Sequence, residues 1–171
     1  MTRPTPDWLL REDVQRGLTA VFARDLTYDL LVRTRELALG RRNRAGLSAS
    51  TLRARSRRKP PIADGGSEEW TDRITALATC GNVWCKISGL ATEAVWNDWD
   101  AERLFPFVEH AAKCFGEDRL IFGSDWPVCL LAGSYGEIKG ALEACLARLG
   151  PGVREKAFGA NAKAAYRLAV S

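Results

Sequence analysis

Arg119-Leu120-Ile121-Phe122-Gly123-Ser124-Asp125-Trp126-Pro127 reads as a short, wholly apolar strand that ends abruptly in polar residues. A strand apolar on both faces belongs inside a parallel sheet covered by helices. In parallel βα folds the active site lies beyond the C-terminal ends of the strands, so a carboxylate at such an end points into it. Asp125 is therefore the candidate catalytic residue, as a general base on water or as a metal ligand. An ordinary aspartate, with a pKa of about 3.9, is a weak base at neutral pH and needs partial burial or a neighbouring group. Gly123 lets the backbone turn or approach another segment closely, and Pro127 keeps the strand from continuing in a ladder. The competing reading is structural: Asp125 caps the turn or helix that follows.

Working outward, the same alternation recurs. Val83 to Leu90 is a strand running into a loop. Asp100 to Phe115 predicts a helix with Leu104, Phe107, Val108 and Ala111 inward and Gly116 as its stop. Tyr135 to Leu149 predicts another, ended by Gly150-Pro151, and Asn161 to Val170 a last short one. Glu68 to Cys80 places Trp70, Ile74 and Leu77 on one side. Near the start, Leu10, Val14, Leu18, Val21 and Phe22 mark one face of a helix over 7–24, with Asp7 as its cap. Leu26 to Val32 is rich in β-formers and reads as a strand, and Thr34 to Leu39 begins helically. Strands alternating with amphipathic helices predict an α/β fold built on a parallel sheet.

Residues 40–58 break the pattern. They show neither helical nor strand periodicity and hold two large apolar residues, Leu47 and Leu52, as a linker or disordered tract does. Residues 41–59 carry eight basic side chains and no acid. The formal charge of +4 is therefore local: without those eight, 17 basic residues face 21 acidic ones. Binding of nucleic-acid phosphates by this tract is a rival function, but no aromatic residue is interleaved for stacking; a solvated loop is the plainer reading.

The 171 residues, 46% hydrophobic, suffice for one domain with a core. No apolar run approaches the roughly 20 residues of a membrane span, and no secretory signal is expected at the N-terminus. Five cysteines, without a CxxC pair, fit a reducing compartment such as the cytoplasm. The one histidine, His110, lies mid-helix and excludes a His-rich metal site built from this chain alone. Ser88, Lys86 and Arg33 stand near strand ends, where structural or solvated roles compete with a site role. Cys85 and Cys129 read as small core residues. Trp96 and Trp99 could lid a pocket, although packing is the safer expectation.

The Phe-Gly-Ser-Asp-Trp-Pro element, 122–127, resembles the eighth strand of the amidohydrolase-related family, within the amidohydrolase superfamily. More narrowly, it is similar to the branch of lactone hydrolases acting on sugar lactones and pyrone dicarboxylate. Other stretches agree in order: 26–31 resembles the fifth strand, Lys59-Pro60-Pro61-Ile62 the segment after the sixth, 82–90 the seventh, and Asn161-Ala162 with Tyr166 the closing helix. Trp84 and Trp126 also follow the family pattern. The resemblance implies a partial TIM (β/α)8-type barrel, its C-terminal half. Residues 1–39 would hold a helix and strand five, residues 40–58 an irregular Arg-rich segment in place of strand six, and residues 59–171 the last βα units, all in one domain.

By the same resemblance, Asp125 is the family's catalytic aspartate, and the reaction is attack of activated water on a cyclic ester. A divalent metal such as zinc serves some complete members; none is expected to be held by this chain. Two family features have no counterpart here. Nothing corresponds to the His-x-His motif of strand one, and the Asp-His pair expected before Lys59 is occupied by Arg55 and Ser56. A reading-frame slip, corrected at Lys59, would produce that replacement; a neighbouring frame that encodes no apolar strand ending in Asp-His would refute it. The expectation is a lactonase by descent with a small-molecule lactone as its ligand, inactive alone. The alternatives are a folded remnant or interaction module, self-associating through exposed sheet edges, and the Arg-mediated binder.

Overall fold

The computed structural model describes residues 8–29, 62 and 68–169. The expected helix at 34–39, the Arg-rich tract, Lys59-Pro60-Pro61 and Arg33 lie outside the described residues.

The first helix begins later than its apolar spacing predicts. A 3-10 turn at Trp8–Leu10 precedes α1, Glu12–Phe22, whose N-cap position is Arg11 with no side-chain cap. The α-helix itself starts at Glu12, where Glu12 and Asp13 favour the positive end of the helix dipole; Asp7, the expected cap, lies outside the described residues. Residues 26–29, expected to open a strand, have no strand structure; their β-forming composition is not matched by a ladder there. The rest of that stretch is outside the described residues.

Glu68–Ala78 forms α2 with Trp70, Ile74 and Leu77 buried, as their spacing requires. It leads into β1, Cys85–Ile87, and a single helical turn, α3, Leu90–Glu93. Next come α4, Ala101–Phe115, capped by Asp100 whose side chain accepts from Arg103 N at 2.9 Å, and β2, Leu120–Phe122. A 3-10 turn, Val128–Leu131, precedes α5, Tyr135–Leu149, which opens with a reciprocal Ser134–Glu137 capping box. The closing segment is longer than its sequence predicts: α6, Val153–Glu155, runs through a π-helical turn, Lys156–Ala160, into α7, Asn161–Tyr166.

Strands β1 and β2 pair in parallel, with Cys85 opposite Leu120, Lys86 opposite Ile121 and Ile87 opposite Phe122. Paired residues share a face. Cys85, Ile87, Leu120 and Phe122 therefore turn to the helices, where the first three are buried and Phe122 stacks on Phe158 with ring centroids 4.2 Å apart. The core fills the space between this face and α2, α4 and α5, with Trp70 edge-on to Phe107 at 5.5 Å. Asn161, 5% exposed, donates to Glu117 O at 2.7 Å and Leu120 O at 2.8 Å, docking α7 against the start of β2. Lys86 and Ile121 occupy the opposite face.

Candidate active site at the ends of the parallel strands

Beyond Phe122 the ladder lasts one more step: Gly123 N donates to Ile87 O at 3.1 Å. Ser88, 4% exposed, lies directly over Gly123. The chain then turns. Asp125 adopts a left-handed conformation, with φ of +60°, a region that non-glycine residues seldom occupy. The turn is held through the main chain: Trp126 N donates to Ser124 Oγ at 3.2 Å, and Cys129 N to Asp125 O at 2.9 Å. The 3-10 turn that follows has Pro127 at its N-cap position.

The half-buried Asp125 carboxylate extends toward α3, where its Oδ2 is 3.4 Å from Thr92 Oγ1. Thr92 is 7% exposed and donates to Gly89 O at 2.8 Å. Its neighbour Glu93 is a second buried carboxylate on this rim segment. Trp96 Nε1 donates to Thr92 O at 3.1 Å and Trp99 Nε1 to Ala132 O at 2.8 Å. Both tryptophans thus tie down the rim loops, Trp99 by packing as expected, while the Trp96 ring remains exposed. Thr92 and Glu93 are not singled out by sequence, because one helical turn after a strand has no periodicity to read; the chain turns at Gly89, at φ of +71°.

The remaining candidates lie elsewhere. His110 Nε2 is 3.2 Å from Thr71 O and 3.4 Å from both Thr75 Oγ1 and Cys114 Sγ, at the seam of α2 and α4. Cys85 and Cys129 are buried in the core, and burial pushes the Cys85 thiol far up. Lys86 pairs with Asp29, and Tyr166 OH donates to the other oxygen of Asp29 at 2.6 Å. At the opposite end of the strands a cleft of about 180 Å³ is bordered by Phe22, Thr27, Asn82, Trp84, Ala165 and Arg167. Trp84 belongs to that end rather than to the Asp125 rim. Among the described residues, no three His, Cys, Asp or Glu side chains converge to hold a metal ion, and no helix is long and apolar enough to cross a membrane.

The amidohydrolase family model matches residues 58–168. An L-fucono-1,5-lactonase of Burkholderia ambifaria is 40% identical over 172 residues, 95% of this chain and 57% of that protein. One from Burkholderia multivorans is 35% identical over 166 residues, 91% of this chain and 56% of that protein. The chain thus spans somewhat over half the length of these relatives. A solved amidohydrolase from Burkholderia multivorans with bound zinc superposes with a TM-score of 0.85 and 33% identity, over 98% of this chain and 61% of that one. Amidohydrolase 2 from Bifidobacterium longum subsp. infantis, TM-score 0.66 and 22% identity, is alike in fold.

Proposed function

The chain belongs to the amidohydrolase family, and from that membership we propose that it carries the catalytic-carboxylate portion of a lactone hydrolase, with Asp125 as the base, and that it does not turn over lactone by itself. On this reading β1 and β2 are the last two staves of a (β/α)8 barrel. The observation that carries it is the half-buried Asp125 carboxylate, turned off the end of β2 onto the rim formed with α3.

The chemistry follows from the ester. Asp125 takes a proton from water as the water oxygen attacks the ring carbonyl; the ring C–O bond then breaks, the leaving oxygen is reprotonated, and an open hydroxy acid results. The dominant cost is charge on the carbonyl oxygen, and donors or a cation must stabilise it. The zinc of the solved relative does not fit the residues here. The whole sequence has one histidine, and its ring nitrogen is engaged at the α2–α4 seam. On this reading Asp125 acts without a metal, and lack of oxyanion stabilisation is the expected cause of the inactivity.

Hydrolysis of L-fucono-1,5-lactone, followed by acid release, tests both halves. The chain and Asp125→Asn are expected to match the buffer rate; turnover by the chain that disappears in the variant refutes the inactivity. A chimera in which residues 59–168 replace the matching part of the Burkholderia ambifaria relative is expected to be active. In it, Asp125→Asn is expected to lower kcat by about a hundred- to ten-thousand-fold, the usual worth of a general base. A fully active Asn chimera would end the assignment.

A second reading rests on a different observation. Trp126 is 65% exposed, and Leu130 and Leu131 are also exposed on the rim. Such adjoining apolar side chains favour association, and sedimentation velocity is expected to show a concentration-dependent rise in mass that Trp126→Ser with Leu130→Ser suppresses.

A further inference from the structure

We propose that His110, Cys114 and Thr75 form a site for a thiophilic divalent cation such as zinc, in the helix layer and apart from the Asp125 rim. His110 and Cys114 stand one turn apart on α4, so their side chains share a face. Thr75 reaches the same point from α2. The three donor atoms form an equilateral triangle. His110 Nε2 to Cys114 Sγ, His110 Nε2 to Thr75 Oγ1 and Thr75 Oγ1 to Cys114 Sγ are each 3.4 Å. Bonds of about 2.0–2.3 Å to one tetrahedral ion put nitrogen, oxygen and sulfur ligands about 3.3–3.6 Å apart. The triangle is therefore already one face of a coordination tetrahedron. Thr75 is exposed and His110 and Cys114 are half-buried, so the ion enters from solvent and water takes the fourth corner.

The donor chemistry agrees with the spacing. Thiolate and imidazole select zinc and softer ions over magnesium or calcium. Thr71 O accepts from Thr75 Oγ1 at 2.8 Å and lies 3.2 Å from His110 Nε2. A carbonyl can only accept, so without metal Nε2 carries the imidazole proton. On binding, the ring exchanges that proton through solvent for one on Nδ1, and the Cys114 thiol releases its own to solvent. The ion takes the two freed lone pairs. Thr75 keeps its proton on Thr71 O and offers an oxygen lone pair without ionising. The ligands are held in advance: Trp70, 4% exposed, packs against the His110 ring with centroids 5.3 Å apart, and the Thr75 hydroxyl is tied to its own helix. Little is left to order when the ion arrives.

The test uses the whole chain, reduced, stripped of metal and labelled with nitrogen-15. Its sequence has one histidine, so the imidazole nitrogen signals belong to His110. Zinc chloride is expected to move the Nε2 signal as the proton is replaced, saturating at one ion per chain. Cadmium chloride is expected to give a thiolate charge-transfer band at the same stoichiometry. Cys114→Ser should abolish the band and weaken zinc by more than about tenfold, because the thiolate is the softest ligand of the set. Cys80→Ser, which changes the other half-buried cysteine, should keep both signals. A His110 signal unmoved by excess zinc overturns the proposal. So does a cadmium band that survives Cys114→Ser, or an unchanged zinc affinity in that variant once thermal melting shows it folded. Should Cys114→Ser fail to fold, Cys114→Ala is read by the same criteria. Neither readout involves turnover, so the Asp125 assignment stands or falls separately.

Discussion

A β-carbon at position 123 would stand 2.9 Å from both Cβ and Oγ of Ser88, closer than such atoms pack. The backbone of Gly123 is not in a left-handed conformation, so of the two roles its sequence position allowed, a turn or a close approach, the structure selects the approach. Ser88 is buried and has little room to retreat. Gly123→Ala is therefore expected to destabilise the chain by about 1–3 kcal/mol, the usual cost of overpacking. Ser88→Gly removes both clashing atoms, so the double variant should recover part of that loss in urea unfolding; strict additivity of the two changes would show that the clash is relieved elsewhere. Asp125, two residues on, illustrates the opposite case: it does hold a left-handed φ, in a short polar residue that tolerates this region better than most.

Between elements, the guanidinium of Arg119 gathers carbonyls from two helix ends, which lack intrahelical donors, and from the approach to β1. Its Nε donates to Phe115 O at 3.0 Å, Nη1 to Cys80 O at 2.9 Å and Val83 O at 3.2 Å, and Nη2 to Ala78 O at 3.1 Å. One side chain thus joins the C-terminal ends of α2 and α4 to the approach of β1. Arg119→Met should cost about 2–4 kcal/mol in urea unfolding, because charge-assisted bonds are lost together and partly buried carbonyls are stranded. Arg119→Lys should recover little, since an ammonium lacks the planar fork; a Met variant as stable as wild type would show that water serves these carbonyls equally well. This junction also marks the limit of what sequence reveals. Helices α2, α4 and α5 are legible because Trp70-Ile74-Leu77, Leu104-Phe107-Val108-Ala111 and the 135–149 segment each sustain a helical period between recognisable stops. The turns at 90–93 and 153–160 are too short for a period to show. Asp125 is legible from its place at a strand end; Thr92, whose partner lies 33 residues away, becomes a site residue only through packing.

Across the whole molecule, Lys86 joins segments that are far apart in sequence. From the strand face turned away from the core it pairs with Asp29 and lies over the Tyr166 ring, 5.2 Å from its centroid. Burial pulls the lysine down, but the hydrogen bonds to Asp29 and Tyr166 outweigh it and hold the ammonium above its ordinary 10.5. Burial and the bond to Asp29 likewise hold the Tyr166 hydroxyl above its ordinary 10.0, against the opposing pull of Lys86. For both groups the folded chain binds the proton more tightly than the unfolded one, so the contribution is complete below the ordinary values and is lost as pH rises through the folded ones. The stability of wild type should therefore hold through neutrality and fall on the alkaline side, above about pH 10. Lys86→Met should lower stability at pH 7 by about 1 kcal/mol, as expected for a partly exposed ion pair, and should flatten the alkaline fall. Tyr166→Phe should flatten it too while sparing the ion pair, so its cost at neutral pH should be smaller. Urea midpoints taken from pH 7 to 11 check this: curves for wild type and Lys86→Met that stay parallel across the range would mean that the cluster releases its proton no later in the folded chain than in the unfolded one. The alkaline limit of the fold would then have to be sought in other groups.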